Sequence, residues 1–156
     1  MTYYSAGPVN LEAVTATTLV PSVEIGTQRV EGLNHYVYVY NAASDSAALT
    51  GLGMVLISGA GNASCTISSV SSAGQLFGVA VNTIATGAYG WICTRGITAI
   101  EMMTTSGSAA ALQPVELSAN GTFAPKSNTT ANGNFVGHAV DAIVSSASGQ
   151  AFIAAW

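Results

Sequence analysis

Charge is what this chain has least of: Asp, Glu, Lys and Arg together make up 6% of its 156 residues, against about a quarter in an ordinary soluble domain. Disorder requires few apolar residues and a high net charge, and an apolar fraction of 49% with a net charge of −4 excludes it. The basic residues are Arg29, Arg95 and Lys126 alone. Holding a phosphate backbone takes clustered Lys and Arg to displace counterions, so no nucleic-acid partner is expected. Long apolar runs are missing too. Met54-Val55-Leu56-Ile57 has the length of a buried strand, and no run approaches the roughly 18 residues of a membrane helix. The opening, MTYYSAGPVN, has no basic stretch followed by an apolar core, so synthesis in the cytoplasm and no membrane partner are expected. Cysteine is nearly absent. Cys65 and Cys93 form no CxxC pair and read as small buried strand residues in a compartment that disfavours disulfides.

The groups that carry chemistry are equally sparse. His35 and His138 lie near no G-x-S-x-G elbow and in no HExxH motif, so neither nucleophilic nor zinc chemistry has its constellation. The acids Glu12, Glu24, Glu31, Asp45, Glu101, Glu116 and Asp141 are scattered. The glycines at 51, 53, 59 and 61 lack the spacing and following helix of a phosphate loop. No catalytic residue, metal or cofactor is expected. Trp91 and Tyr89 are compatible with stacking on a sugar, which leaves a carbohydrate-binding module as one alternative.

What the chain does contain is short strand-like runs between turn signals, which makes it all-β. The clearest is His35–Tyr40, HYVYVY, whose alternation sets Tyr36, Tyr38 and Tyr40 on one face and Val37 and Val39 on the other. Neither face carries charge, so both are expected to be covered, one by the core and one by another layer or subunit. Further strands are expected at 53–58, 64–70, 75–82, 90–95, 114–119, 122–125, 135–143 and 151–156. Asn120-Gly121 is a strong hairpin signal. Thr105–Leu112 reads as a loop.

Residues 1–22 read as an extended arm, interrupted by Pro8 and Pro21 and rich in β-branched residues at 14–20. The arm is expected either to close the sheet of its own domain or to lie across a neighbour. Residues 23–156 are expected to form a single compact domain, a β-barrel or sandwich. A surface of Ser, Thr, Asn, Gly and Ala in place of charge suits faces that end against other subunits. Tyr3, Tyr4, Pro8, Leu11, Tyr36, Tyr38 and Tyr40 are the candidate interface residues. One internal echo is present: Gly78-Val-Ala-Val-Asn-Thr-Ile84 matches Gly137-His-Ala-Val-Asp-Ala-Ile143, offset by 137 − 78 = 59 residues. It suggests a barrel or sandwich whose halves pack similarly.

Glu24-Ile-Gly-Thr-Gln-Arg-Val-Glu-Gly32 followed by His35–Asn41 and the alanine-rich stretch 42–49 resembles the opening of bacteriophage capsid decoration, or cement, proteins and related small virion proteins. The glycine-flanked aromatic stretch from Gly87 to Gly96 is similar to theirs, as is the close from Val136 to Trp156. The resemblance covers residues 24–156. It implies a compact β-barrel or β-tulip-like domain bound to the outer capsid surface across joints between subunits of the major capsid protein, often as a homotrimer at three-fold positions. A contact role for the arm and for loops 42–52 and 101–113 follows from that placement. A tail, baseplate or fibre-associated virion protein is the alternative of the same class.

Overall fold

The computed structural model describes residues 12–42, 48, 54–58, 64–67, 76–102, 104, 107–118, 122–126 and 135–154, with backbone alone at 54–58, 64–67 and 76–77. These residues form ten strands and no helix: β1 (Gln28–Glu31), β2 (Asn34–Tyr40), β3 (Met54–Ser58), β4 (Ser64–Ile67), β5 (Leu76–Ala80), β6 (Tyr89–Glu101), β7 (Pro114–Leu117), β8 (Phe123–Pro125), β9 (Phe135–Ala139) and β10 (Ser148–Ala154). The all-β class expected from the alternating apolar runs is the one observed. All ten belong to one sheet, ordered β1-β2-β4-β3-β5-β6-β10-β9-β7-β8 with a further β2–β6 pairing. Of the architectures expected, barrel or β-tulip-like or sandwich, the closed barrel is not formed. The pairings β2–β4–β3–β5–β6–β2 do run in a cycle, but among the described residues β2 meets β4 only at Tyr40 and Ser64, too little ladder to make a stave of a closed barrel.

The sheet is built from one plan used twice. In the first half, β3 pairs with both β4 and β5, β5 leads through a turn to the start of β6, and that part of β6 pairs with β2. In the second half, β7 pairs with both β8 and β9, β9 leads through a turn to β10, and β10 pairs with the rest of β6. The long strand β6 therefore closes one half and opens the other. The irregularities repeat as well. The β3–β5 register steps between Val55 and Leu56, and the β7–β9 register steps between Val115 and Glu116. A parallel pairing of Tyr40 with Ser64 in one half has its counterpart in Met102 with Phe123.

The echo at 78–84 and 137–143 is the sequence trace of this duplication. Gly78 lies against Cys93 so closely that a Cβ would stand 2.6 Å from the Cys93 carbonyl oxygen, and a Cβ on Gly137 would stand 1.9 Å from that of Phe152. Both glycines face the residue fifteen places on, since 93 − 78 and 152 − 137 are equal. Gly90 and Gly149 leave room for the side chains of Ile84 and Ile143, whose nearest atoms would lie 2.7 Å and 2.6 Å from an added Cβ. The turn hydrogen bonds coincide too: Val81 N–H to Trp91 O and Ala88 N–H to Ala85 O in one half, Val140 N–H to Gln150 O and Ala147 N–H to Val144 O in the other.

The interior follows the plan. Val37, Val39, Ala80, Ile84, Ala88 and Ile92 form the core of the first half. Ile100, Ala139, Ile143 and Ala151, at matching positions, belong to the core of the second with Met102, Ala109, Val115, Leu117, Phe123, Val136 and Ile153. Each buried aliphatic side chain contributes about 1.5–3 kcal/mol relative to exposure. Several strand limits differ from expectation, β6 most of all. The sequence reading ends a strand at Arg95 before Gly96, but β6 continues to Glu101. Gly96 has φ 118 and occupies a site where a Cβ would clash with Asn34; it is a point of close approach inside a strand rather than its end. Strand β1, an exposed edge, has no apolar alternation to announce it.

Candidate interaction surface

The two halves present matching rows of residues on their outer faces. Across the first half the register runs Met54–Val79–Cys93–Tyr36, and across the second Pro114–His138–Phe152–Ile97. At Cys93 and Tyr36 the first row is covered, while Val79 belongs to the buried cluster of the second half. Tyr36, Tyr38, Trp91 and Cys93 form a buried cluster with Val14, Val23, Val81 and Tyr89 packed against it, so residues 12–23 cover this face of the sheet. Thr18 and Tyr89 exchange backbone hydrogen bonds of 3.0 and 2.8 Å. The Tyr38 hydroxyl accepts from the Ser22 N–H at 3.3 Å and lies 3.1 Å from Thr18 Oγ1. Asn82 Nδ2 donates to Thr15 O at 3.1 Å.

Arg29 fastens the end of this cover. Its Nη1 donates to Glu12 O at 2.6 Å, its Nη2 pairs with Glu31, and its guanidinium lies 5.9 Å from the centre of the Trp91 ring, within reach of a cation–π attraction. Tyr38 sits 5.0 Å from Trp91 and 6.0 Å from Tyr89, with Tyr40 4.8 Å from Tyr89. Cys93 is a free thiol, and burial pushes its pKa up to about 11, against a smaller lowering by its bond to Arg95 O. It is chemically quiet.

The candidate interface residues divide on this geometry. Tyr36 and Tyr38 are buried beneath the chain's own residues, Tyr40 is half-buried at the end of the aromatic row, and Tyr3, Tyr4, Pro8 and Leu11 lie outside the described residues. Trp91 is buried, so its ring offers no face for a sugar to stack on. Most of loop 42–52 lies outside the described residues, while part of 101–113 is held in place by a backbone pair between Ala109 and Ile143, with Leu112 exposed at its tip. Among the described residues no group of three or more His, Cys, Asp or Glu gathers into a metal site. No described helix is long and apolar enough to cross a membrane.

The second row is not covered among the described residues. Ile97 is 40% exposed, Phe152 38%, and Phe135, whose ring stands edge-on to His138 at 5.0 Å, is 40% exposed. Sequence reasoning passed over these residues, although the alternation Ser148-Gln150-Phe152 against Gly149-Ala151-Ile153 sets one large aromatic on a face otherwise polar.

No family model matches the chain, and no curated protein matches it. Among solved structures it is similar to the crystal structure of the head fiber gp8.5 N base of bacteriophage phi29, with a TM-score of 0.55, covering 76% of this chain and 92% of that one. At 11% identity the likeness is one of fold.

Proposed function

We propose that the protein is a structural, non-enzymatic component of a bacteriophage particle that binds the outer surface of the head and reinforces it across the joints between major capsid subunits. The observation that carries this reading is the fold likeness, which takes in nearly the whole of a base that belongs to a head fibre. Two independent features support it. The pattern of residues 24–156 resembles capsid decoration proteins, and the charge-poor surface is cheap to desolvate against other subunits. The mechanism is mass action: a protein that binds the expanded shell and not its unstrained precursor lowers the free energy of the expanded form. An oligomer that reaches several joints at once adds avidity without new contacts.

The same likeness favours a second reading, the base of a head fibre, in which the domain anchors a projecting segment to the shell. Mixing the purified protein with expanded, undecorated capsids and imaging by cryo-electron microscopy tests both. Ordered density at every equivalent lattice position supports decoration, and density at sparse positions supports a fibre base. Bare shells beside intact particles that carry the protein on the tail would sink both.

A further inference from the structure

The cover of the first half is a different kind of structure from what lies beneath it. Tyr36, Tyr38, Trp91 and Cys93 are buried, but no residue from 12 to 23 is. They alternate between half-buried and exposed as far as Thr18, and Leu19 and Val20 are 77% and 75% exposed. Among the described residues their backbone meets the sheet at one isolated bridge, Thr18 with Tyr89, whereas β2 and β6 beneath share a ladder from His35 and Arg95 to Tyr40 and Tyr89. We infer that residues 12–23 are a releasable strap: they open as a unit from a sheet that stays folded, with Arg29 as the fastener. The strap thereby controls whether the aromatic face beneath it is offered to anything outside the chain.

Segments with few buried apolar contacts open locally, at less than the free energy of global unfolding. Here two half-buried valines, Val14 and Val23, supply the strap's apolar contact with the cluster. Closure also leaves buried polar atoms unmet. Glu12 Oε1, on the strap itself, and Trp91 Nε1, beneath it, have no hydrogen-bond partner among the described residues. Such groups carry their desolvation cost for as long as they stay dry, and opening returns them to water. The closed form therefore needs a hold that offsets this cost, and Arg29 supplies it. Its bond to the Glu12 carbonyl, 2.6 Å, is shorter than the bonds of 3.1–3.3 Å that Asn82 and Tyr38 make to Thr15, Thr18 and Ser22. Being charge-assisted, it is also stronger than a neutral bond. The other guanidinium nitrogen pairs with Glu31, and the group lies 5.9 Å from the centre of the Trp91 ring, so one side chain grips both the strap and the face under it.

Cys93 reports the opening, since it is a free thiol, fully buried in the cluster that the strap covers. The measurement is its labelling by the uncharged reagent dithiodipyridine, in the full chain carrying Cys65→Ser, across a urea series up to the unfolding transition. Opening of a small unit exposes little surface and so depends weakly on urea, unlike global unfolding. The expected labelling rate is nearly flat at low urea and turns steep only close to the transition. Arg29→Ala should raise the flat part about tenfold or more, as for loss of a charge-assisted bond, and Val14→Ser should raise it as well. Ile143→Ala, in the core of the second half, should move the steep part to lower urea and leave the flat part in place. A rate as steep as global unfolding from the lowest urea overturns the inference, because the strap then moves only with the whole fold. Labelling at the rate of an exposed thiol without urea overturns it too, because the strap is then not closed. So does a flat part that neither Arg29→Ala nor Val14→Ser changes, because Cys93 is then reached by another opening.

Discussion

The first and second halves of this molecule share their strand pairings, their bulges and their glycines, yet bury different amounts of themselves. Both interiors are filled by aliphatic side chains at corresponding positions. Among the described residues the outer faces diverge: aromatic and covered in the first, partly apolar and uncovered in the second. What two copies of one plan keep in common is thus what the backbone needs in order to come close, and what they vary is what the plan leaves to neighbours. The sharpest test sets Trp91 against its counterpart Gln150. Trp91→Ala removes a buried ring packed on Tyr38 and covered by the arm, and should cost about 3–5 kcal/mol. Gln150→Ala should stay within about 0.5 kcal/mol, as at an ordinary surface site. Urea-unfolding midpoints, taken at the lowest practical concentration, measure both. Equal losses at the two positions would break the distinction between a covered and an uncovered face.

The interiors should respond alike instead. Ile84 and Ile143 each fill the space left by a glycine, Gly90 and Gly149. Replacing either isoleucine with alanine should cost about 2–5 kcal/mol, and the two losses should agree within about 1 kcal/mol, less than the usual spread between unrelated core sites. If Ile143→Ala unfolds the protein while Ile84→Ala is tolerated, the halves are not energetically equivalent however similar their pairings.

Gly78 and Gly137 give a smaller, graded effect. An alanine at either presses on a carbonyl oxygen of the neighbouring strand rather than on a movable side chain, at 2.6 Å for Gly78 and 1.9 Å for Gly137. Overpacking of this kind costs about 1–3 kcal/mol, with Gly137→Ala the worse of the two. Thermal midpoints should fall by about 2–4 °C for each kcal/mol in a chain of this size. The reverse order would mean that β9 and β10 separate more readily than β5 and β6.

Much of this duplication was legible in the sequence, because close backbone approach leaves a residue signature. The shared glycines at 78 and 137 lie where a Cβ does not fit, and the shared alanines and isoleucines are buried in both copies. The shared use of β6 was not legible. A glycine in a run of strand residues marks a boundary as often as a close contact, and only the Asn34 side chain, which accepts from the Ile97 N–H and donates to the Ile97 carbonyl, shows which holds at Gly96. The tyrosine alternation of β2 was legible as two covered faces, but not as two faces of which one is closed by residues 12–23. That depends on contacts remote in sequence, Tyr38 with Thr18 and Ser22, and Arg29 with Glu12. The exposed row of the second half was hidden for a related reason: Ile97 and Phe152 resemble core residues until the register shows that their neighbours already fill the interior.

The smallest expected effect lies in the two turns. Gly87 and Ser146 occupy the same place in the plan, and both have positive φ, 78° and 61°. Glycine adopts that region freely, whereas an L side chain costs about 1–2 kcal/mol there. Ser146→Gly removes that strain but enlarges the freedom of the unfolded chain, which returns about 0.4–1 kcal/mol. A net gain of a few tenths to about 1 kcal/mol is therefore expected. Gly87→Ser runs the comparison the other way and should lose a similar amount, for the same two reasons with their signs exchanged. Denaturant midpoints for the two variants, measured side by side, should move in opposite directions by comparable amounts. If Ser146→Gly destabilises instead, the serine hydroxyl makes a contribution to its turn that the glycine of the first half has no means to make, and the two turns are alike in backbone only.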